Sequence, residues 1–311
     1  MKRKSLTLLL IMATPLFFVS CNQSTEEKEV QDLKVSYINE DIDPGNNFYR
    51  FANAGWMEAH PLPDDESRFG SFDLLAKQTK EKVRVLVEES ARADAEKGSI
   101  EQKIGDFYST GMDTEKIQAQ GLKPIQDKLE QIRNIKNRQD LQQQINRFHR
   151  YSIGSTFRMG GGADAKNSDM VIAQLSQGGL GMSDRDYYVN QDPRTKEIRN
   201  AYQDYVETLF TLAGSPEEKA AEKAQIIMDV ETQLAKASMT RLERRDPHKT
   251  YHKMDVNGLQ QICPSMDWNT YFTSLGIDVP EDINVRQPEF FKQVNQMLAE
   301  MPLGQWKTYL E

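Results

Sequence analysis

His248 and His252 could hold a metal between them, because histidines four residues apart share one face of a helix. The residues between them are K-T-Y, so the general-base Glu of an H-E-x-x-H helix is missing, and Pro247 puts the pair at a loop or helix start. H-E-x-x-H occurs nowhere in the chain. Gly160-Gly161-Gly162 could cradle a phosphate, yet without a G-K-[ST] ending the run reads as a turn. G-x-S-x-G, CxxC and a Cys-His arrangement are also absent from the sequence. His60 and His149 stand alone and read as solvent-facing or capping residues. Arg185-Asp186-Tyr187-Tyr188 reads either as a binding site or as a buried ion pair that fixes a loop.

The first twenty-one residues read as an address. Lys2, Arg3 and Lys4 form a positive start, and the apolar run from Leu6 to Val19 is short for a bilayer and interrupted by Thr14 and Pro15. Ser20-Cys21 resembles a bacterial lipobox, which makes Cys21 the expected lipid attachment point, although Phe18 stands where Leu is usual. An ordinary secretory cleavage nearby is the alternative. The expected location is therefore the cell envelope, on the periplasmic or the surface face. Residues 22–42 are polar and acidic and read as a flexible tether.

Of the two cysteines, Cys263 then remains alone, so no internal disulfide is possible and it reads as a buried small hydrophobe. Stability must come from core packing, which a chain of this length can supply. Without Lys2, Arg3 and Lys4, 36 basic residues face 47 acidic ones, a net charge of −11. That balance disfavours nucleic acid and anionic lipid surfaces as partners.

From Asp43 onward the dominant hydrophobic period is helical. Phe72, Leu75, Val83 and Leu86 mark one face of a helix from Asp73 to Arg92, and Phe48, Tyr49, Phe51 and Trp56 form an aromatic cluster best read as core packing. Asp43-Pro44-Gly45 reads as a turn, and Ser99 with Gln102 as a capping box ahead of Ile100, Ile104, Phe107 and Tyr108. Further stripes are Ile125, Leu129, Ile132, then Leu141, Ile145, Phe148, then Ile198, Tyr202, Tyr205, Leu209, Leu212. Gly214 closes the last of these, and Ser215-Pro216-Glu217-Glu218 opens a helix whose inner face holds Ile227, Val230 and Leu234. Ser155–Met159 and Met170–Leu175 suggest a hairpin around G-G-G-A-D-A-K-N-S. Trp306, Tyr309 and Leu310 begin a stripe at the very end, which reads as a sequence cut short. The expected fold is mainly α, one multi-helical lobe over residues 43–311 with a small β-hairpin element.

Several segments in order carry a family resemblance. D-P-G-N-N-F-Y-R-F-A-N-A-G-W from Asp43, S-R-F-G-S-F-D from Ser67, K-I-G-D-F-Y-S-T-G-M-D from Lys103, and G-L-G-M-S-D-R-D-Y-Y from Gly179 are joined by E-T-Q-L-A-K-A-S from Glu231 and R-R-D-P-H-K-T-Y-H-K-M from Arg244. Together they resemble the N-terminal lobe of the neprilysin and endothelin-converting-enzyme family of zinc metallopeptidases. Departures are Ser183 where the family has Pro, and His252 where it has Asn.

The resemblance implies a helical lobe that closes over a C-terminal catalytic half and restricts access to peptides. The zinc, its ligands and the general base would lie in that other half, so no cofactor and no catalytic residue is expected here. Arg68 matches the Arg that binds the free C-terminal carboxylate of short substrates, a task suited to a planar guanidinium fork. Surface ion pairing is the other reading of Arg68, and Ala76 stands where some relatives carry a second Arg. The implied partners are peptide substrates, the C-terminal catalytic half, and a membrane through the lipid anchor. The alternative is a non-catalytic lipoprotein that uses the lobe as a peptide-binding scaffold.

Overall fold

Asp43 caps the first helix instead of making a turn: its carboxylate accepts from the Gly45 N–H at 2.9 Å, and Pro44 occupies the first helical position. The computed structural model describes residues 35–66 and 68–311, where thirteen helices and one four-stranded sheet make the fold mainly α with a small β element. Cys21, the signal segment and residues 22–34 of the expected tether lie outside the described residues, as does Ser67. Among the described residues, no helix is long and apolar enough to cross a membrane. The chain divides into two compact units, residues 1–113 and 114–311.

In the first unit, α1 (Pro44–Ala59) is followed by α2 (Ser71–Arg92) and α3 (Ile100–Met112). The helices α2 and α3 pack together closely at Gly105, where a Cβ would come within 2.5 Å of the Ser90 carbonyl. Ser99 caps α3 as expected, accepting from Gln102 N–H at 3.1 Å, while the Gln102 side chain turns to the Gly98 N–H. The apolar face on α2 is not buried: Phe72, Leu75, Val83 and Leu86 are all exposed, as are Phe48 and Tyr49 of the aromatic cluster.

The second unit holds α4 (Thr114–Gln120), α5 (Gln126–Arg133), α6 (Arg138–Arg150), β1 (Phe157–Asp164), β2 (Asn167–Gln177), α7 (Asp186–Val189), α8 (Pro193–Leu212), α9 (Glu217–Ala237), β3 (Lys253–Met254), α10 (Val256–Ile262), α11 (Trp268–Ser274), β4 (Ile283–Val285), α12 (Pro288–Glu300) and α13 (Leu303–Leu310). The sheet order is β1-β2-β4-β3, with β2 and β4 parallel and the other pairs antiparallel. The hairpin forms, but its three glycines lie inside β1, and the turn is the shorter Ala165-Lys166 step fixed by the Lys166 N–H to Asp164.

One large core cluster and two smaller ones fill this unit among the described residues. Phe157, Leu175, Ile283 and Val285 come from the sheet, and Leu141, Ile145, Leu234, Trp268, Tyr271, Phe290, Phe291 and Trp306 from the helices. Cys263 is buried in the same core, and burial pushes its thiol up to about 12. On α8 the buried residues are Val206 and Phe210, with Tyr202 partly covered, whereas Tyr205, Leu209 and Leu212 face outward. The stripe expected there is therefore rotated by one position. Gly214 closes α8 at φ +92° as expected, and Pro216 takes the cap position of α9.

Candidate functional site

Arg68 sits just ahead of α2, and its surroundings explain why the chain presents it. The Gly70 N–H donates to the Asp73 carboxylate at 2.9 Å, which closes the helix start, and Phe69 stacks on Trp56 with ring centroids 6.1 Å apart. Asp73 is also the sole carboxylate near Arg68 among the described residues, at 3.9 Å, and the Arg68 side chain is 85% exposed. The R-F-G-S-F-D segment from Arg68 is thus a helix start that holds a weakly paired guanidinium in solvent. Such a weak exposed contact contributes little to stability.

The histidine pair does not share a helical face. His248 lies in a turn and His252 in an extended residue ahead of β3. Among the described residues, no group of three His, Cys, Asp or Glu side chains gathers to hold a metal ion. The histidine pair does not fit a zinc site. His60 caps α1, with Nδ1 at 3.0 Å from the Trp56 carbonyl. His149 differs from its expected exposed role: it bridges core and loop, with Nε2 donating to the Ser155 carbonyl at 2.7 Å and Nδ1 accepting from the Tyr271 hydroxyl at 2.8 Å. Burial holds its pKa below the ordinary value, in keeping with a neutral ring.

The Gly179–Tyr188 segment wraps a buried carboxylate that the sequence reading did not single out. Glu231 of α9 accepts from the Gly181 N–H at 3.0 Å, the Tyr188 hydroxyl at 2.8 Å and the Tyr202 hydroxyl at 3.1 Å. No cation pairs with it among the described residues, and burial raises its pKa despite the three donors. Both glycines of G-L-G are required here. Gly179 adopts φ +74°, and a Cβ on Gly181 would overlap the Tyr202 hydroxyl.

Beside this knot, the buried acid is Asp184 and not Asp186. Arg241 reaches Asp184 at 2.5 Å and Arg244 approaches to 3.9 Å, while Arg185 holds the Ala235 carbonyl and pairs with half-exposed Asp186 at 3.4 Å. Burial pushes the Asp184 pKa up, but the Asp186 amide and the arginines outweigh it and leave the group below its usual range. The adjacent R-R dipeptide at Arg244 was the sequence signal for this cluster. Arg158 and Arg185, which line the same small cleft as Asp184, come from other segments.

The family model described as peptidase family M13 matches residues 44–311. The chain belongs to peptidase family M13. Endothelin-converting enzyme 1 of Cavia porcellus is 32% identical over 274 residues, covering 84% of this chain and 36% of that enzyme. The Homo sapiens enzyme is 31% identical over 277 residues, covering 85% and 35%. Zinc metalloprotease Zmp1 of Mycobacterium tuberculosis, solved in complex with an inhibitor, superposes with a TM-score of 0.80 at 27% identity over 88% of this chain and 42% of its own. This M13 chain therefore spans roughly a third of the length of the curated relatives it matches. PepO of Lactobacillus rhamnosis, at 12% identity and a TM-score of 0.64, shares the fold.

Proposed function

We propose that this chain is the N-terminal, substrate-restricting lobe of a zinc-dependent metalloendopeptidase that acts on peptides and is not catalytic by itself. The reading rests on one observation above the rest. The M13 match runs through nearly all the chain, yet the chain spans only about a third of its relatives and carries no H-E-x-x-H. Zinc and its ligands would then be supplied by a C-terminal catalytic half. The first unit supports this. Its helices leave Phe72 and Phe107 at 84% and 85% exposure, and Phe48, Leu75, Leu86 and Ile100 exposed as well. Several large apolar side chains left exposed on a folded unit are what a surface covered by another polypeptide would show.

The deciding experiment is to read the gene onward past the Glu311 codon and co-express whatever follows with this chain. The expected result is an H-E-x-x-H segment and chelator-sensitive peptide hydrolysis that neither part shows alone. Hydrolysis by the pure chain, or no such segment in any frame, would overturn the reading. In the second case, a non-catalytic peptide-binding lipoprotein becomes the better account.

Arg68 is proposed as the contact for the free C-terminal carboxylate of the substrate. In the completed enzyme, Arg68→Ala is expected to raise KM for free-acid peptides by about tenfold or more, the worth of a hydrogen bond to a charged group. Matching amidated peptides should be unaffected. Equal losses on both peptide forms would return Arg68 to a surface role. Cys21 is proposed as the lipidated residue that holds the protein in the cell envelope. Cys21→Ser should move the protein from the membrane fraction to the soluble fraction, and an unchanged fractionation would remove the anchor.

A further inference from the structure

The sheet of the second unit has a second, largely polar face, on which Ile172 is buried opposite Gly162. Cross-strand partners point to the same side of a sheet. Arg158 is opposite Ser176, Gly160 is opposite Gln174, and Gln174 is opposite Asn284, so these residues share the face away from Met159, Leu175 and Val285. Arg286 follows Val285 on that outer side. Gly160 and Gly162 add no side chains, which leaves the floor low. The segment from Glu243 to Tyr251 stands beside it as a wall and brings Arg244, Arg245, Thr250 and Tyr251.

The result is an open cleft of about 450 Å³ lined by Gly162, Gln174, Arg244, Arg245, Asn284 and Arg286 among others. Among the described residues, no Asp or Glu lines it. A smaller cleft of about 210 Å³ shares Arg244 and adds Arg158 and Arg185. Arg158, Arg245 and Arg286 have no carboxylate partner within salt-bridge distance among the described residues, and Arg244 has only Asp184, which lies closer to Arg241. Asp164, the nearest acid in sequence to the glycine run, is committed to the Lys166 amide, Tyr251 and Lys253. Asn284 is also committed. It donates to Gln174 Oε1 at 2.9 Å and to the Thr250 carbonyl, which fixes Gln174 and leaves its amino group without a protein acceptor among the described residues.

Arg245 and Arg286, unpaired among the described residues and facing this cleft beside Arg244, form an unneutralised site in a chain of net charge −8. A guanidinium is the side chain best shaped to take a carboxylate through two parallel hydrogen bonds. We infer that this cleft binds the acidic side chains of an extended peptide, with Arg245 and Arg286 as the principal carboxylate contacts and Gln174 as a neutral donor. The anion assignment stands on the cleft alone. The peptide assignment rests on the M13 reading and sharpens it: the substrates favoured here would carry Asp or Glu side chains.

The test is calorimetric titration of the full chain with an N-acetylated, C-amidated peptide of alternating Ala and Glu, against its Ala-Gln counterpart. The capped ends leave side-chain carboxylates as the sole anions. The Glu peptide is expected to bind at least about tenfold more tightly than the Gln peptide, and to weaken as salt rises from about 50 to about 200 mM. Arg245→Gln/Arg286→Gln should abolish the preference, Arg286→Lys should retain part of it, and Arg150→Gln should leave it intact. If the double variant loses its thermal transition, exposed Arg245→Gln decides, with a loss of several-fold expected. Equal binding of the two peptides, no binding of the Glu peptide at the lower salt, or full binding by the folded Arg245 variant overturns the site. Competition by inorganic phosphate at concentrations matching the peptide overturns the carboxylate assignment. Because the titration uses this chain alone, its failure leaves the metallopeptidase reading standing. An absent downstream zinc segment would sink that reading without touching the titration.

Discussion

Replacing Glu231 by Ala is expected to cost the second unit about 3–5 kcal/mol, because it strips the acceptor from three buried or partly buried donors at about 1–3 kcal/mol each. The loss should appear in urea denaturation of the full chain as a lower midpoint, with a fall in melting temperature of roughly 10 °C. A fall within 2 °C or so would mean that water replaces the carboxylate at no cost. Glu231→Gln behaves differently. It keeps an acceptor for Gly181 and Tyr202, and it removes the burial penalty on the charged form. The folded-state pKa of Glu231 is raised above the ordinary value, so its contribution is fully present below about pH 4.3 and is lost as pH rises through the folded value. The Gln variant carries no such proton. Its stability should therefore decline less than that of the parent as pH rises through the acidic range toward neutrality, and a parallel decline would remove Glu231 as the source.

The helical class of the fold was legible because long amphipathic segments repeat one signal many times. Leu141, Ile145 and Phe148 on α6, and Ile227, Val230 and Leu234 on α9, are buried where their spacing put them. The period failed on α8 because two interleaved apolar sets lie one position apart. Tyr202, Val206 and Phe210 face the core, while Tyr205, Leu209 and Leu212 look equally apolar in sequence and face outward. On α2 the stripe itself was right, but periodicity states that a face is apolar and does not name what covers it. The strands β3 and β4 were invisible for another reason. Two and three residues are too few for a period, and β4 is held by a parallel pairing to β2 more than a hundred residues earlier.

The charged sites follow the same division. Arg68 could be singled out because S-R-F-G-S-F-D, the segment that carries the resemblance there, is written in consecutive residues. The outer-face cleft could not, since Arg244, Arg245 and Arg286 line one cleft only after β2, β4 and the 243–251 segment assemble. Glycines misled in the same way. A run of three reads as a turn from local conformational freedom, yet in β1 their use is the absence of side chains on one strand of a sheet. Local chemistry survives in a single sequence; chemistry assembled from distant segments does not.

Trp306→Ala is the second large effect expected. The helix α13 looks marginal in sequence, with eight residues and a single aromatic stripe, but it closes the core. Trp306 is fully buried, donates from its indole N–H to the Met297 carbonyl at 3.3 Å, and packs edge-on against Tyr309 at 5.9 Å. Tyr309 in turn donates to the Gly179 carbonyl at 2.8 Å, which ties α13 to the loop around Glu231. Glu311 holds Arg133 at 2.7 Å and Lys223 at 2.8 Å, joining α13 to α5 and α9. Truncating a buried Trp costs about 3–5 kcal/mol through lost burial and the cavity left behind. The variant should also loosen Tyr309, so combining it with Glu231→Ala should cost less than the two losses summed, since both act through the Gly179–Tyr188 loop. Full additivity in denaturation of the double variant would show instead that the final helix and the buried carboxylate stabilise the second unit independently.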